Sequence, residues 1–142
     1  MIILGIDPGL AIVGYGLIEY KGSKYEPIDY GCIYTEADLD LPERLQIIYR
    51  ELSNLIDRYN PDNVAMADLF FHKNVKTAIK VGQARGVEIL AAVNKGKSVY
   101  EYTPLQIKQS VVGYGRAEKR QVQEMVKLLL NLKKIPKPDD AA

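Results

Sequence analysis

The hydrophobic repeat of this chain changes period once, near residue 40, and that change constrains the fold more than any other feature. Before it, residues 2–6 form a short apolar run and Ala11 to Tyr20 alternates loosely around Gly14 and Gly16. Lys24 to Tyr34 resumes the alternation after a Lys21-Gly22-Ser23 turn. A period of two marks strands, and tight turns between them join neighbours antiparallel. After the change, Leu45, Ile48, Tyr49, Leu52, Leu55, Ile56 and Tyr59 recur at steps of three and four, the stripe of an amphipathic helix. Asp40 and Pro42 stand where a cap and a first-turn proline belong, and Asn60-Pro61 stops the helix. Asn63 to Phe71 reads as a fourth strand, Asn74 to Val93 as a second long helix and Ser98 to Tyr102 as a fifth strand. Shorter helices are predicted from Thr103 to about Val112 and from Ala117 to Asn131.

Three antiparallel strands, then helix–strand–helix–strand, predict an α/β fold with a five-stranded mixed sheet flanked by helices on both faces. The order suits a ribonuclease-H-like fold, with the first strand central and the fourth parallel beside it. At 142 residues the chain is expected to be a single domain, 1–142. In open sheets of this kind, ligands bind at the carboxyl ends of the central strands. Asp7 sits at such an end, where Ile2-Ile3-Leu4-Gly5-Ile6 breaks into Pro8-Gly9. A strand-end aspartate serves metal-dependent nucleases and nucleotide-binding phosphotransferases, and it also simply starts turns. The actin-like phosphotransferases need a second subdomain and a further phosphate loop, which do not fit this length.

Composition narrows the setting. Cys32 is the single cysteine, which excludes an internal disulfide, and it reads as a small core residue. No membrane span and no secretory signal is expected, which makes the cytoplasm the default compartment. Residues 1–102 carry 11 Lys+Arg against 14 Asp+Glu, while 103–142 carry 8 against 4, so the C-terminal third is basic. That imbalance is compatible with a phosphate-binding face and equally with a solvated helix surface.

Several strings, in order along the whole chain, carry a resemblance. They are Gly5-Ile6-Asp7-Pro8-Gly9, Phe70-Phe71-His72-Lys73-Asn74 and Gly82-Gln83-Ala84-Arg85-Gly86-Val87. After them come Tyr102-Thr103-Pro104 with Gln106 and Lys108, Val111-Val112-Gly113 with Ala117-Glu118-Lys119, and Asp140-Ala141-Ala142. With these the chain resembles the RuvC-type Holliday junction resolvases of bacteria. The resemblance implies a dimeric endonuclease that cuts four-way DNA junctions symmetrically in recombination and repair. It implies two Mg²⁺ ions per site, with Mn²⁺ as a substitute, and the branch-migration proteins RuvA and RuvB as partners.

The resemblance also implies a set of acidic ligands, and this chain departs from it. Asp7 matches the first ligand and Asp140 the first aspartate of the final helix. The glutamate expected on strand four falls at Ala67, whose methyl group cannot hold a cation. The partner of Asp140 falls three residues on, past Ala142. Asp68 should face away from Asp7, because successive strand residues point to opposite faces, and Asp139 should point about 100° round the helix. The expectation is a junction-binding resolvase fold with impaired catalysis; the alternative is a non-catalytic junction-binding protein.

For DNA contacts, the resemblance points to Phe70 and Phe71 as aromatics that stack on a base, and to Lys108 and Lys119 near the scissile phosphate. Arg116, Arg120, Lys73 and Lys76 are weaker candidates of the same kind. His72, the single histidine, is left without a role. Ala78, Gly82 and Gly86 recur at four-residue steps on the second long helix. Two glycines there suggest close approach of another backbone, either the sheet or, as the resemblance implies, a second copy across a two-fold axis.

Overall fold

The computed structural model of the chain describes residues 1–68 and 74–142. Five strands form one sheet in the order β3-β2-β1-β4-β5: β1 (Ile2–Asp7), β2 (Ile12–Lys21), β3 (Lys24–Tyr34), β4 (Asn63–Ala67) and β5 (Ser98–Tyr102). β1 pairs antiparallel with β2 and β2 with β3, while β4 joins β1 and β5 joins β4 in parallel. This is the ribonuclease-H-like arrangement that the order of elements predicts, with β1 at the centre.

Helix α1 (Leu41–Tyr59) begins where its cap places it, the Asp40 carboxylate accepting from the Glu43 amide at 3.0 Å, and ends on Asn60 at φ 44°. It lays Ile48, Leu52 and Ile56 fully inside, each contributing about 1.5–3 kcal/mol of burial. Helix α2 (Val75–Asn94) lies beside α1 and buries Ala84, Ala91 and Ala92, small side chains that bring its backbone close to the sheet. Against these two helices pack Leu4, Ile6, Leu17, Val64 and Met66, one face of β1, β2 and β4. Truncating Leu52 to alanine would open this core at a cost of about 2–5 kcal/mol.

Helices α3 (Pro104–Val112) and α4 (Lys119–Leu129) form a hairpin after β5. A Thr103–Gln106 capping box starts α3, and Gly113 ends it at φ 101°, backbone that a side chain would strain. On the second sheet face a 3-10 helix, Asp139–Ala141, packs over β2 and β3.

Several boundaries differ from expectation, and those around the sheet's carboxyl edge matter most. β4 stops at Ala67 rather than reaching Phe71, and Phe70, Phe71, His72 and Lys73 lie outside the described residues. Helix α4 starts at Lys119, two residues later than expected, because Glu118 takes the cap position and its amide donates to Gln121 Oε1 at 2.8 Å. The segment carrying Asp140 is a short 3-10 turn rather than α-helix, entered from Pro138, which has no amide hydrogen to donate. No described helix is long and apolar enough to cross a membrane.

Candidate active site at the carboxyl edge of the sheet

Strand register sets the site. Asp7 stands opposite Gly14, and Gly14 opposite Cys32. On the other side Ile6 pairs with Met66, so one step on Ala67 lies beside Asp7, and Ala67 in turn pairs with Tyr102. Alternation puts all five on the face opposite α1 and α2. Tyr102, Ala67, Asp7, Gly14 and Cys32 thus form one row across the sheet near its carboxyl edge.

Asp140 enters this row from above. A Cβ at Gly14 would collide with the Asp140 backbone, so the bare α-carbon is what seats the 3-10 turn against β2. The seat is secured by Ala141, which is buried. The result brings the Asp140 carboxyl against that of Asp7, close enough for a hydrogen bond between them.

Two carboxyls so placed cannot both ionise freely. Solvent reaches Asp7, yet the protein packed around it and then the Asp140 charge push its pKa up to about 7. Lys119 works the other way, lowering it. Its ammonium lies 2.9 Å from Asp139 Oδ2, a hydrogen bond that raises the lysine pKa and holds the Asp139 carboxyl below its usual range. Asp139 therefore serves Lys119, and Asp140 faces Asp7.

Asp68 turns to the opposite face, as the alternation requires. There Arg85 of α2 approaches its carboxylate at 3.7 Å and binds Glu101 of β5 at 2.8 Å. It is not brought into the row.

The remaining candidates are spread out. Lys108 is half-buried on α3, and Arg116 is exposed in the turn before α4. Arg120 is exposed and engages Glu124 one turn on at 3.1 Å. Lys76 is exposed in the first turn of α2. Gly82 and Gly86 have open space where side chains would stand, so they do not serve packing on the sheet. Ala78 is half-buried, while Val75, Ile79, Leu90 and Val93 of the same helix are exposed.

Two residues depart from the sequence reading. Cys32 is half-buried in the row rather than a core residue. Its thiol pKa is raised by burial first, with Asp140 and Asp7 among the charges that act on it. Glu88, on α2, is fully buried with a pKa of about 9, raised by desolvation. Its position four residues after Ala84 and three before Ala91 was the available signal: a charge on a buried face.

A ribonuclease-H-like sheet whose central strand ends on an aspartate, with a second aspartate laid against it from a neighbouring turn, defines a nuclease-type site. The family model described as crossover junction endodeoxyribonuclease RuvC matches residues 3–142, and the chain belongs to that family. It is 63% identical over 142 residues to the crossover junction endodeoxyribonuclease RuvC of Alkaliphilus oremlandii, covering all of this chain and 87% of that protein. With the Clostridioides difficile protein of the same name the identity is 62%, over all of this chain and 84% of the relative. Among solved structures it is similar to Thermus thermophilus RuvC at 35% identity and a TM-score of 0.88, covering 99% of this chain and 89% of that one. It is also similar to the Thermus thermophilus RuvC chain in complex with Holliday junction substrate, at 32% identity and a TM-score of 0.89, over 99% and 85% of the two chains.

Proposed function

We propose that this chain is a structure-selective nuclease of four-way DNA junctions, acting in recombination and repair, whose Asp7 and Asp140 hold a divalent cation. The observation that carries this reading is the Asp7–Asp140 pair, assembled from the two ends of the sequence, with Lys119 beside it. Paired hard oxygen donors in mutual repulsion suit Mg²⁺, which commonly uses one or two carboxylates and completes its shell with water and phosphate oxygens. Among the described residues no group of three or more His, Cys, Asp and Glu is placed to hold a metal. The pair therefore fits one ion, and a second would lean on position 67, which offers a methyl group. Mn²⁺, of like ligand preference, is expected to substitute.

Such a cation, when bound, neutralises the scissile phosphate and lowers the pKa of the attacking water. The chain's own residues do the rest. Asp7 gives up its proton to accept the cation, and Asp140 fixes the second donor. Lys119, 81% exposed at the start of α4, turns from Asp139 to a phosphate oxygen. Arg116, Arg120, Lys108, Lys73 and Lys76 supply further phosphate contacts, and Phe70 or Phe71 stacks on a base at the crossover.

Symmetric cutting requires two equivalent sites, and α2 offers the face to pair them. Val75, Ile79, Leu90 and Val93 are exposed along it, and around Ala78, Gly82 and Gly86 the helix lacks bulk. Two copies packed through this face form the proposed homodimer, with RuvA and RuvB as partners in the same pathway.

Catalysis in this chain is impaired in the proposal, because the methyl of Ala67 stands beside Asp7 where a third carboxylate belongs. The second reading, a junction-binding protein that does not cut, rests on the same residue. Both are tested by mobility shift and cleavage of a synthetic four-way junction against a linear duplex, in Mg²⁺ and in Mn²⁺, for the chain and its Ala67→Glu variant. Junction-selective binding by both is expected, with cleavage at least about 100-fold faster for the variant. Equal affinity for duplex and junction would refute the substrate. Equal cleavage by both chains would refute the impairment, and no cleavage by either would favour the binding protein.

A further inference from the structure

The turn that joins β1 to β2, residues 8–11, is tied down by the residue that follows β3. Thr35, 6% exposed, makes two bonds to it. Its amide donates to the Ala11 carbonyl at 3.0 Å, and its hydroxyl donates to the Leu10 carbonyl at 2.5 Å. Arg44, near the start of α1, secures Thr35 from the other side. Its Nε donates to Thr35 Oγ1 at 3.0 Å and its Nη2 to the Thr35 carbonyl at 3.4 Å. A hydroxyl that accepts from one neighbour and donates to the next is oriented by both. The relay reaches the acidic row through the strand ladder. Met1 and Tyr20 exchange backbone hydrogen bonds at 3.1 and 2.8 Å. Antiparallel pairs alternate between bonded and non-bonded, so Ile3–Ile18, Gly5–Gly16 and Asp7–Gly14 are the further bonded pairs of β1 and β2. Asp7–Gly14 is the last of them and is exposed to fraying from the turn. Gly14 is also the seat of Asp140.

We propose that Thr35 and Arg44 are positioning residues: through Leu10 and Ala11 they pin the β1–β2 turn, keep the terminal Asp7–Gly14 pair closed and so hold Asp7 and the seat of Asp140 in one register. Burial alone does not ask for this chemistry, since a valine at position 35 would fill the same space without the hydroxyl's two bonds. The proposal deepens the reading of Asp7 and Asp140 as a cation site and rests on it for its consequence, but its test uses neither metal nor DNA. Failure of one reading is thus distinguishable from failure of the other.

The test is NMR on the uniformly labelled chain and its Thr35→Val, Thr35→Ser and Arg44→Met variants. Valine keeps the shape and the backbone amide without the hydroxyl, serine keeps the hydroxyl, and methionine removes the guanidinium donors. Amide hydrogen exchange at Gly14 is expected to quicken about tenfold in Thr35→Val and Arg44→Met and to stay within about twofold in Thr35→Ser, with Gly16 and Ile18 unchanged in all three. The Gly14 α-proton that points at Asp140 should lose its through-space cross-peak to the Asp140 β-protons in the first two variants and keep it in the third. A Thr35→Val chain that does not fold leaves the decision to Arg44→Met, in which Thr35 is intact. Unchanged Gly14 exchange in Thr35→Val or Arg44→Met overturns the proposal, as does a cross-peak that survives in them. So does equal loss in Thr35→Val and Thr35→Ser, or a loss spread through Gly16 and Ile18, which would make Thr35 a packing residue.

Discussion

Lys119 and Asp139 meet at 2.9 Å, so the residue next to the site aspartate restrains the lysine beside the site. Both side chains are largely solvated, and a pair of this kind stabilises the fold by no more than about 1 kcal/mol. Its consequence is expected in binding. Changing Lys119 to alanine should weaken junction binding for any sequence and reduce the salt slope by about 1. Asp139→Asn, which frees the lysine and removes a negative charge, should tighten binding with little change in melting temperature. Affinity titrations at several salt concentrations, read beside thermal melts, check both.

Cation affinity should follow the proton on Asp7. With the pKa near 7, the carboxyl is largely protonated at pH 5, and a cation must displace that proton. Mn²⁺ affinity, followed by electron paramagnetic resonance of the free ion, should rise about tenfold per pH unit up to pH 7 and level off above it. Asp140→Asn removes the neighbouring charge, so the pH at which the curve levels should fall.

Stability should fall as pH rises. Asp7 and Glu88 both have folded pKa values above their ordinary ones, about 7 against 3.8 and about 9 against 4.5. Each holds its proton more tightly in the folded chain, so its stabilising contribution is complete in acid and is lost as pH climbs through the folded value. Glu88→Gln should melt higher than the unsubstituted chain, by a margin that grows from pH 5 to pH 9 and reaches on the order of a few kcal/mol. Asp7→Asn should remove only the part lost below pH 7. Denaturant titrations at pH 5, 7 and 9 separate the two.

Helix α2 gives opposite outcomes for two small changes. A methyl group at Gly86 meets open space, so Gly86→Ala should stabilise the helix by about 1 kcal/mol. Leu90→Glu puts a charge on the same exposed face and should dissociate the proposed dimer without unfolding the chain. Sedimentation velocity beside circular dichroism reads both results.

Much of this architecture was written in local signals. Asp40 caps α1, Asn60 stops it, and the alternation around Gly14 sets β2. Asp68 facing away from Asp7 followed from strand alternation alone. What local pattern could not supply was contact between distant segments. The role of Gly14 as a seat for Asp140, and the pairing of Lys119 with Asp139, depend on residues far apart along the chain. Cys32 looked like core because its alternation fits a strand, yet which face is covered depends on where the 3-10 turn settles. A charge in an apolar stretch, as at Glu88, reads as a surface position until helix phase is assigned. Ideal α-helical angles turn Asp139 about 100° from Asp140, and the backbone there is instead a tighter 3-10 turn.

Asp7 and Asp140 stand at opposite ends of the sequence and meet through a single glycine on a neighbouring strand. During synthesis on the ribosome, Asp7 emerges as an ordinary aspartate, and the 132 residues that separate it from Asp140 must follow before its mate can dock. A half-made copy, able to shape its first hairpins, has no acidic pair to bring to a chromosome.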